Sequence, residues 1–292
     1  MKISTFGLGY VGPVSAGCLA AAGHTVIGVD PNATKVKLIN DGVTQIIEKD
    51  IGEIIAKAVA EKRLWATTNV AEAIADTELS IVCVGTPSER NGSLDLRYIR
   101  NCCEEIGRAL RNKSSWHNVT IRSTILPGTM RNIIIPMLEE SSGKKAGVDF
   151  GICNNPEFLR EGTAVYDYRN PPKTVIGEID SRSGDVLAAL YAHLQAPLIR
   201  PSVETAEMVK YVDNVWHAVK VAFANEVGNI CKPLAIDSHE VMGIFCQDTK
   251  LNLSPYYLKP GFAFGGSCLS KYLRALSYKA KALDLDLPLF AS

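Results

Sequence analysis

The chain has 292 residues, 47% of them apolar, and its 31 basic side chains balance 31 acidic ones. That length and apolar share fit two folded domains with real cores, and the charge balance argues against nucleic acid or an anionic membrane surface as a partner. Eight cysteines occur with no Cys-x-x-Cys pair and no metal-ligand spacing, so no metal is expected and the thiols read as reduced core fillers of a cytoplasmic protein.

The N-terminus has no signal-peptide core, and no stretch has the length and apolarity expected of a membrane span. KISTFGLG reads as a strand, VGPVSAGCLAAAG as a helix ending at Gly23, and HTVIGVD as a second strand. Strand-like runs follow at LSIVCVGTP, NVTIRSTILPGT, VDFGICNNPE and KTVIGE, with helical patterns such as DLRYIRNCCEEIGRALRNK between them. This alternation predicts an α/β fold with a doubly wound, mostly parallel, Rossmann-like sheet. After APLIRPS the strand signal stops and a helical pattern runs from about Glu204 to Cys231. The boundary is therefore placed between a sheet domain, residues 1–201, and an all-helical unit, residues 202–292.

Gly7-Leu8-Gly9-Tyr10-Val11-Gly12 follows the first strand and opens the first helix, the context in which Gly-x-Gly-x-x-Gly holds a dinucleotide. Gly7 permits the tight turn, Gly9 the approach of a pyrophosphate, and Gly12 close packing of helix on strand. Asp30 closes the second strand, where a carboxylate accepts from ribose hydroxyls and repels a 2′-phosphate. NAD is the expected cofactor, and residues 1–201 its binding domain.

In VETAEMVKYVDNVWHAVKVAFANEVGNICK, an apolar stripe of Met208, Val212, Val215, Val219, Ala222 and Phe223 opposes a polar one of Lys210, Asn214, His217 and Asn225. The polar stripe reads equally as a solvated face and as the lining of a site. The apolar stripe predicts a dimerisation surface, with burial inside one subunit as the alternative. NNPEFLREGT carries Glu157 and Glu161 four apart beside Asn154 and Asn155, which alone reads as a surface turn with two acids. Thr124 in RSTILPGT falls near a strand end on the ligand-binding side of the sheet. Cys268 follows PGFAFGGS where a helix is expected to start near Ser267, and Lys271 follows one turn on. A helix N-terminus and a lysine lower a thiol pKa, whereas most free cysteines are buried and inert.

FGLGYVG, CVGTPS, STILPGT, NPEFLRE, AEMVKYVDNVWHAVKVAFANEVGNI and PGFAFGGSCLSK together resemble the UDP-glucose/GDP-mannose dehydrogenase family along the whole chain. CVGTPSERNGSLDL, SGKKAGVDFG and CQDTKLNLSPYYLKPGFAFGGSCL resemble its GDP-mannose branch most, with UDP-glucose the alternative substrate. The resemblance implies oxidation of a sugar C6 alcohol to a carboxylate by two NAD molecules, with Cys268 holding the aldehyde as a thiohemiacetal and then a thioester. It implies oxyanion stabilisation by Lys210 and Asn214, and proton transfer by Glu161 with Thr124 and a water. It sets Glu161, Lys210, Asn214, His217, Asn225, Tyr256, Tyr257, Lys259, Phe262 and Gly265 around the sugar nucleotide. Gly7, Gly9, Tyr10, Val11, Gly12, Asp30, Lys35, Thr86, Thr124 and Lys271 fall at cofactor positions. It also implies a homodimer through the long central helix.

Two departures bear on activity. Where the family motif continues Cys-Leu-Pro-Lys-Asp, this chain reads Cys268-Leu269-Ser270-Lys271-Tyr272, and a phenol with a pKa of about 10 does not replace a carboxylate as base at neutral pH. The sequence stops at Ser292, so the family's second nucleotide-fold domain is expected to be missing and the activity impaired. A catalytically inactive NAD-binding or assembly protein is the alternative. A one-step hydroxyacid dehydrogenase shares the plan but has no use for Cys268.

Overall fold

The structure is a computed structural model that describes residues 1–91, 93–254 and 267–291. Its contacts divide the chain into two compact units, Met1–Tyr211 and Val212–Ser292.

The first unit begins with β1 (Lys2–Phe6), α1 (Val11–Ala21) and β2 (Thr25–Val29), the β-α-β unit that the sequence predicts. α2 (Ala33–Asn40), α3 (Ile51–Ala60), β3 (Leu64–Thr67), α4 (Val70–Asp76) and β4 (Leu79–Val82) follow. Next come α5 (Arg97–Arg111), β5 (Asn118–Ile121), a π-helical turn at Met130–Ile134 that runs into α6 (Ile135–Ser142), and β6 (Gly151–Asn154). The sheet region closes with α7 (Ala164–Arg169), β7 (Thr174–Val175), β8 (Gly177–Glu178), α8 (Ser181–Tyr191) and β9 (Leu198–Ile199).

The main sheet has the order β3-β2-β1-β4-β5-β6-β8. Its first six strands are parallel, and β8 runs antiparallel to β6. β7 pairs separately with β9, so KTVIGE, which reads as one strand, is divided at Ile176 between two sheets. β4, β5 and β6 are buried along their whole length, as central parallel strands under two layers of helix must be. Ile3, Leu19, Ile55 and Leu187 belong to one core cluster, and Phe6, Ile106, Leu138 and Phe150 to a second. Each large side chain so buried stabilises by about 1.5–3 kcal/mol. In α5, the buried Ile99, Cys102, Cys103, Ile106 and Leu110 recur at helical spacing, while Glu104 and Arg108 pair on the outer face.

α9 (Val203–Cys231) starts one residue before the helix that the sequence predicts and carries the chain into the second unit. There it is followed by a 3-10 turn at Lys232–Leu234, α10 (Ser238–Phe245), α11 (Ser267–Ala282) and α12 (Pro288–Ala291). No strand occurs among the described residues of this unit. Ile230, Cys231, Ala280 and Leu287 form its small core, Phe223 meets Phe245 with ring centroids 5.6 Å apart, and the Glu226 carboxylate accepts from the Leu289 amide at 2.8 Å.

Candidate active site

β1 delivers the Gly7–Gly12 loop to the point, between β1 and β4, where the strand order reverses, which is where doubly wound sheets bind ligands. Gly7 has φ +91°, a conformation that side chains resist. A Cβ on Gly12 would lie 1.9 Å from the Gly7 carbonyl oxygen, so α1 and the loop pack too closely for one. Gly9 is different, because a Cβ there would meet nothing within 4 Å. The protein's own packing does not require that glycine, and the space is left for a ligand to approach. α1 also lacks a side-chain cap and has no acid in its first turn, which leaves its first amides and its dipole to an anion. These residues fit a dinucleotide pyrophosphate.

Asp30 at the end of β2 is only 5% exposed. Its Oδ2 accepts from the Leu8 amide at 2.7 Å and meets Lys35 Nζ at 3.4 Å, and its Oδ1 accepts from the Asn32 amide at 2.9 Å. The acid expected at the ribose thus also fastens the glycine loop to β2, and Lys35 stands beside it. After β4, Thr86 Oγ1 donates to the Thr124 carbonyl at 2.7 Å and ties the two strand-end loops together. Cys83 lies in the same region with its thiol pushed up to about 12 by burial, an inert side chain at neutral pH.

Beyond β6 the buried Asn155 takes hydrogen bonds from Arg122 Nη1 and the Tyr191 hydroxyl, both at 2.7 Å. Glu157 then accepts from the Leu159 amide at 2.6 Å and pairs with Lys210 Nζ at 3.0 Å, with side chains 13% and 10% exposed respectively. Lys210 is brought there by its own helix. Glu207, one turn earlier on α9, is 1% exposed and accepts from the amides of Gly128 at 2.7 Å and Met130 at 2.8 Å, clamping the helix to the loop after β5. The reading of NNPEFLREGT as a surface turn is therefore corrected for Glu157, which turns inward to the helix lysine, while Glu161 is exposed. A nearly buried ion pair is weak evidence for stability, and this one lies at the ligand-binding edge of the sheet.

Glu161 stands beside the dinucleotide loop. Burial and then the Glu48 carboxylate push the Tyr10 phenol up, and the charge of Glu161 adds to that push. Glu48 itself accepts from the Tyr10 hydroxyl and from the amides of Gly162 and Ala164. Asn214, His217 and Asn225 are exposed residues of the second unit, as is Lys271. α11 starts at Ser267, as expected, with Cys268 its second residue. The side chains of Cys268, Ser270 and Tyr272 lie outside the described residues, as do Tyr256, Tyr257, Lys259, Phe262 and Gly265 altogether. A groove of about 660 Å³ between α4 and α5, lined by Asn69, Arg108 and Lys113 among others, contains none of the expected site residues. No helix among the described residues is long and apolar enough to cross a membrane.

Sequence reasoning missed Glu207, Glu48 and Arg122. Glu207 had a usable signal, since it precedes Lys210 by one turn in AEMVKY. Glu48 had none, because its partners are remote in sequence.

Fold and loop together define a dinucleotide-binding protein of the doubly wound class. Residues 1–195 match the NAD binding domain of the UDP-glucose/GDP-mannose dehydrogenase family, and residues 204–292 match its central domain. The GDP-mannose 6-dehydrogenase of Pseudomonas syringae pv. tomato is 59% identical over 292 residues, covering 100% of this chain and 67% of that protein. The UDP-glucose 6-dehydrogenase AglM of Haloferax volcanii is 37% identical over 287 residues, 97% of this chain and 66% of that protein. The crystal structure of a ternary complex of GDP-mannose dehydrogenase from Pseudomonas aeruginosa matches with a TM-score of 0.99 at 57% identity, over 100% of this chain and 67% of that one. The chain belongs to the UDP-glucose/GDP-mannose dehydrogenase family, which oxidises nucleotide sugars, and NAD is its cofactor.

Proposed function

We propose that the chain oxidises the C6 alcohol of GDP-mannose to the carboxylate of GDP-mannuronate. The observation that carries this reading is Lys210, held against Glu157 at the same sheet edge as the dinucleotide loop. GDP-mannose is favoured over UDP-glucose by the 59% against 37% identity to the two kinds of relative.

NAD, when bound, supplies the hydride acceptor for each two-electron step. Lys210 and Asn214, four residues on along α9, stabilise the oxyanion that develops on the sugar oxygen. Thr124 and Glu161 hold a water that takes the proton. The Cys268 thiolate adds to the aldehyde carbon, and the thiohemiacetal loses a second hydride to become a thioester that water hydrolyses. Alcohol, two NAD and one water thus become carboxylate, two NADH and three protons. His217, Asn225, Tyr256, Tyr257, Lys259, Phe262 and Gly265 hold the sugar nucleotide, and Lys271 contacts the cofactor. Tyr272 in place of the family's aspartate impairs the site, since loss of one positioned proton-transfer group costs about 10²–10⁴ in rate.

The protein works as a cytoplasmic homodimer joined through α9. The exposed Met208, Val212, Val215, Trp216 and Val221 on that helix support this reading.

NADH formation at saturating NAD tests the function. Slow turnover of GDP-mannose exceeding that of UDP-glucose, raised at least about a hundredfold by Tyr272→Asp with Ser270→Pro, is expected. Preference for UDP-glucose would overturn the substrate, and a rate untouched by the double change would overturn the impairment.

A further inference from the structure

Glu48 lies outside every motif of the sequence, yet it joins the Tyr10 loop, 38 residues before it, to the Gly162 turn, 114 residues after it. Its carboxylate accepts from the Tyr10 hydroxyl in the dinucleotide loop, from the Gly162 amide at 2.9 Å and from the Ala164 amide at 3.2 Å. Those two amides lie one and three residues after Glu161. Gly162 has φ +88°, which fixes the turn that presents its N–H. Thr163 gives α7 no side-chain cap, so the Ala164 amide at the helix start takes Glu48 as its acceptor instead. Burial pushes the Glu48 carboxyl up, but the Tyr10 hydroxyl and the backbone amides outweigh it and hold the group below its usual range. At neutral pH it is an anion that only accepts.

The segment from Asn155 to Thr163 has no helix or strand of its own. It is held by Asn155 to Arg122 and Tyr191, by Glu157 to Lys210, by Arg160 and Thr163 to Asp167, and at its end by the Gly162 amide, with that of Ala164 just beyond, to Glu48. The tie through Glu48 leads to the cofactor loop, through a Tyr10 that also begins α1.

We propose that Glu48 is a positioning residue that couples cofactor occupancy of the Gly7–Gly12 loop to the segment carrying Glu161. A cofactor that fixes the Tyr10 backbone fixes its phenol on Glu48, and Glu48 then holds the Gly162 and Ala164 amides. Removing the carboxylate uncouples the two loops without removing a cofactor contact. The consequence for turnover acts through Glu161 and rests on the proton-transfer reading above, whereas the coupling itself does not.

Hydrogen exchange on the full chain, with and without NAD, tests the coupling. NAD is expected to slow exchange at the Gly162 and Ala164 amides by at least about fivefold, the lower end of typical coupling between sites. Glu48→Ala should still bind NAD within about fivefold of the unmodified affinity by calorimetry yet lose the slowing, and Glu48→Gln, which keeps one acceptor oxygen, should recover part of it. Equal slowing in Glu48→Ala and the unmodified chain would overturn the proposal, as would a NAD-bound unmodified chain that shows none. If Glu48→Ala does not fold, Tyr10→Phe decides, because it leaves both amide bonds to Glu48 in place. Loss of the NAD effect there supports the coupling, and its persistence refutes it. Glu161→Gln separates the two readings: unchanged turnover removes Glu161 from proton transfer while leaving the exchange pattern intact.

Discussion

His117 is fully buried; its Nδ1 donates to the Thr77 carbonyl at 3.0 Å, and its Nε2 accepts from the Ser80 hydroxyl at 2.7 Å. Burial, aided by the charge of Lys113, pushes the imidazole down to about 3. The native ring therefore stays neutral through a range in which an unfolded histidine, with a pKa of about 6.5, takes a proton. Stability from the neutral ring is complete above about pH 6.5 and falls by about 1.4 kcal/mol per pH unit as pH descends toward 3, because only the unfolded chain gains the proton. Urea unfolding at about pH 7.5 and 5 checks this, with the unmodified chain expected to lose about 2 kcal/mol more than His117→Gln. Equal losses would contradict it. The same scale shows why the acids were harder to read than Lys210. Glu157 and Glu161 are four apart, but no helix spans Asn155–Thr163, so the spacing does not put them on one face. One turns inward to a lysine that is remote in sequence, and the other faces solvent.

Long elements were legible because their pattern repeats many times. α9 matches its predicted span to within one residue, and α11 starts where the glycine run before Cys268 implied. Short ones were not. β3 has four residues after a charged run, and KTVIGE hides a change of sheet at Ile176, whose amide bonds to the Ile199 carbonyl. The apolar stripe of α9 also divides in the structure: Phe223 packs on Phe245 within its own unit, whereas Met208, Val212 and Val215 are 51–59% exposed. Burying each of those side chains against a second copy stabilises by up to about 1.5–3 kcal/mol. Light scattering at micromolar concentration should give a dimer, and Val212→Glu with Val215→Glu should give a monomer. A monomer without the substitutions would count against the dimer.

At the scale of the whole molecule, the alternation of strands and helices carried the parallel, doubly wound character of the sheet, because a parallel sheet demands a crossover between neighbours. The dinucleotide loop was legible for a related reason, since its glycines answer to local geometry and to a ligand at once. What stayed hidden were ties made across the fold such as Glu48 to Gly162 and Glu157 to Lys210, because no local pattern encodes a partner chosen by tertiary packing. The central claim is that this fold carries both oxidations of one sugar nucleotide at one site. The yield of NADH per GDP-mannose consumed, measured at complete conversion with excess NAD, tests that most directly. The account predicts two NADH for each sugar nucleotide with GDP-mannuronate as product, and one NADH with release of the aldehyde, or none at all, would contradict it.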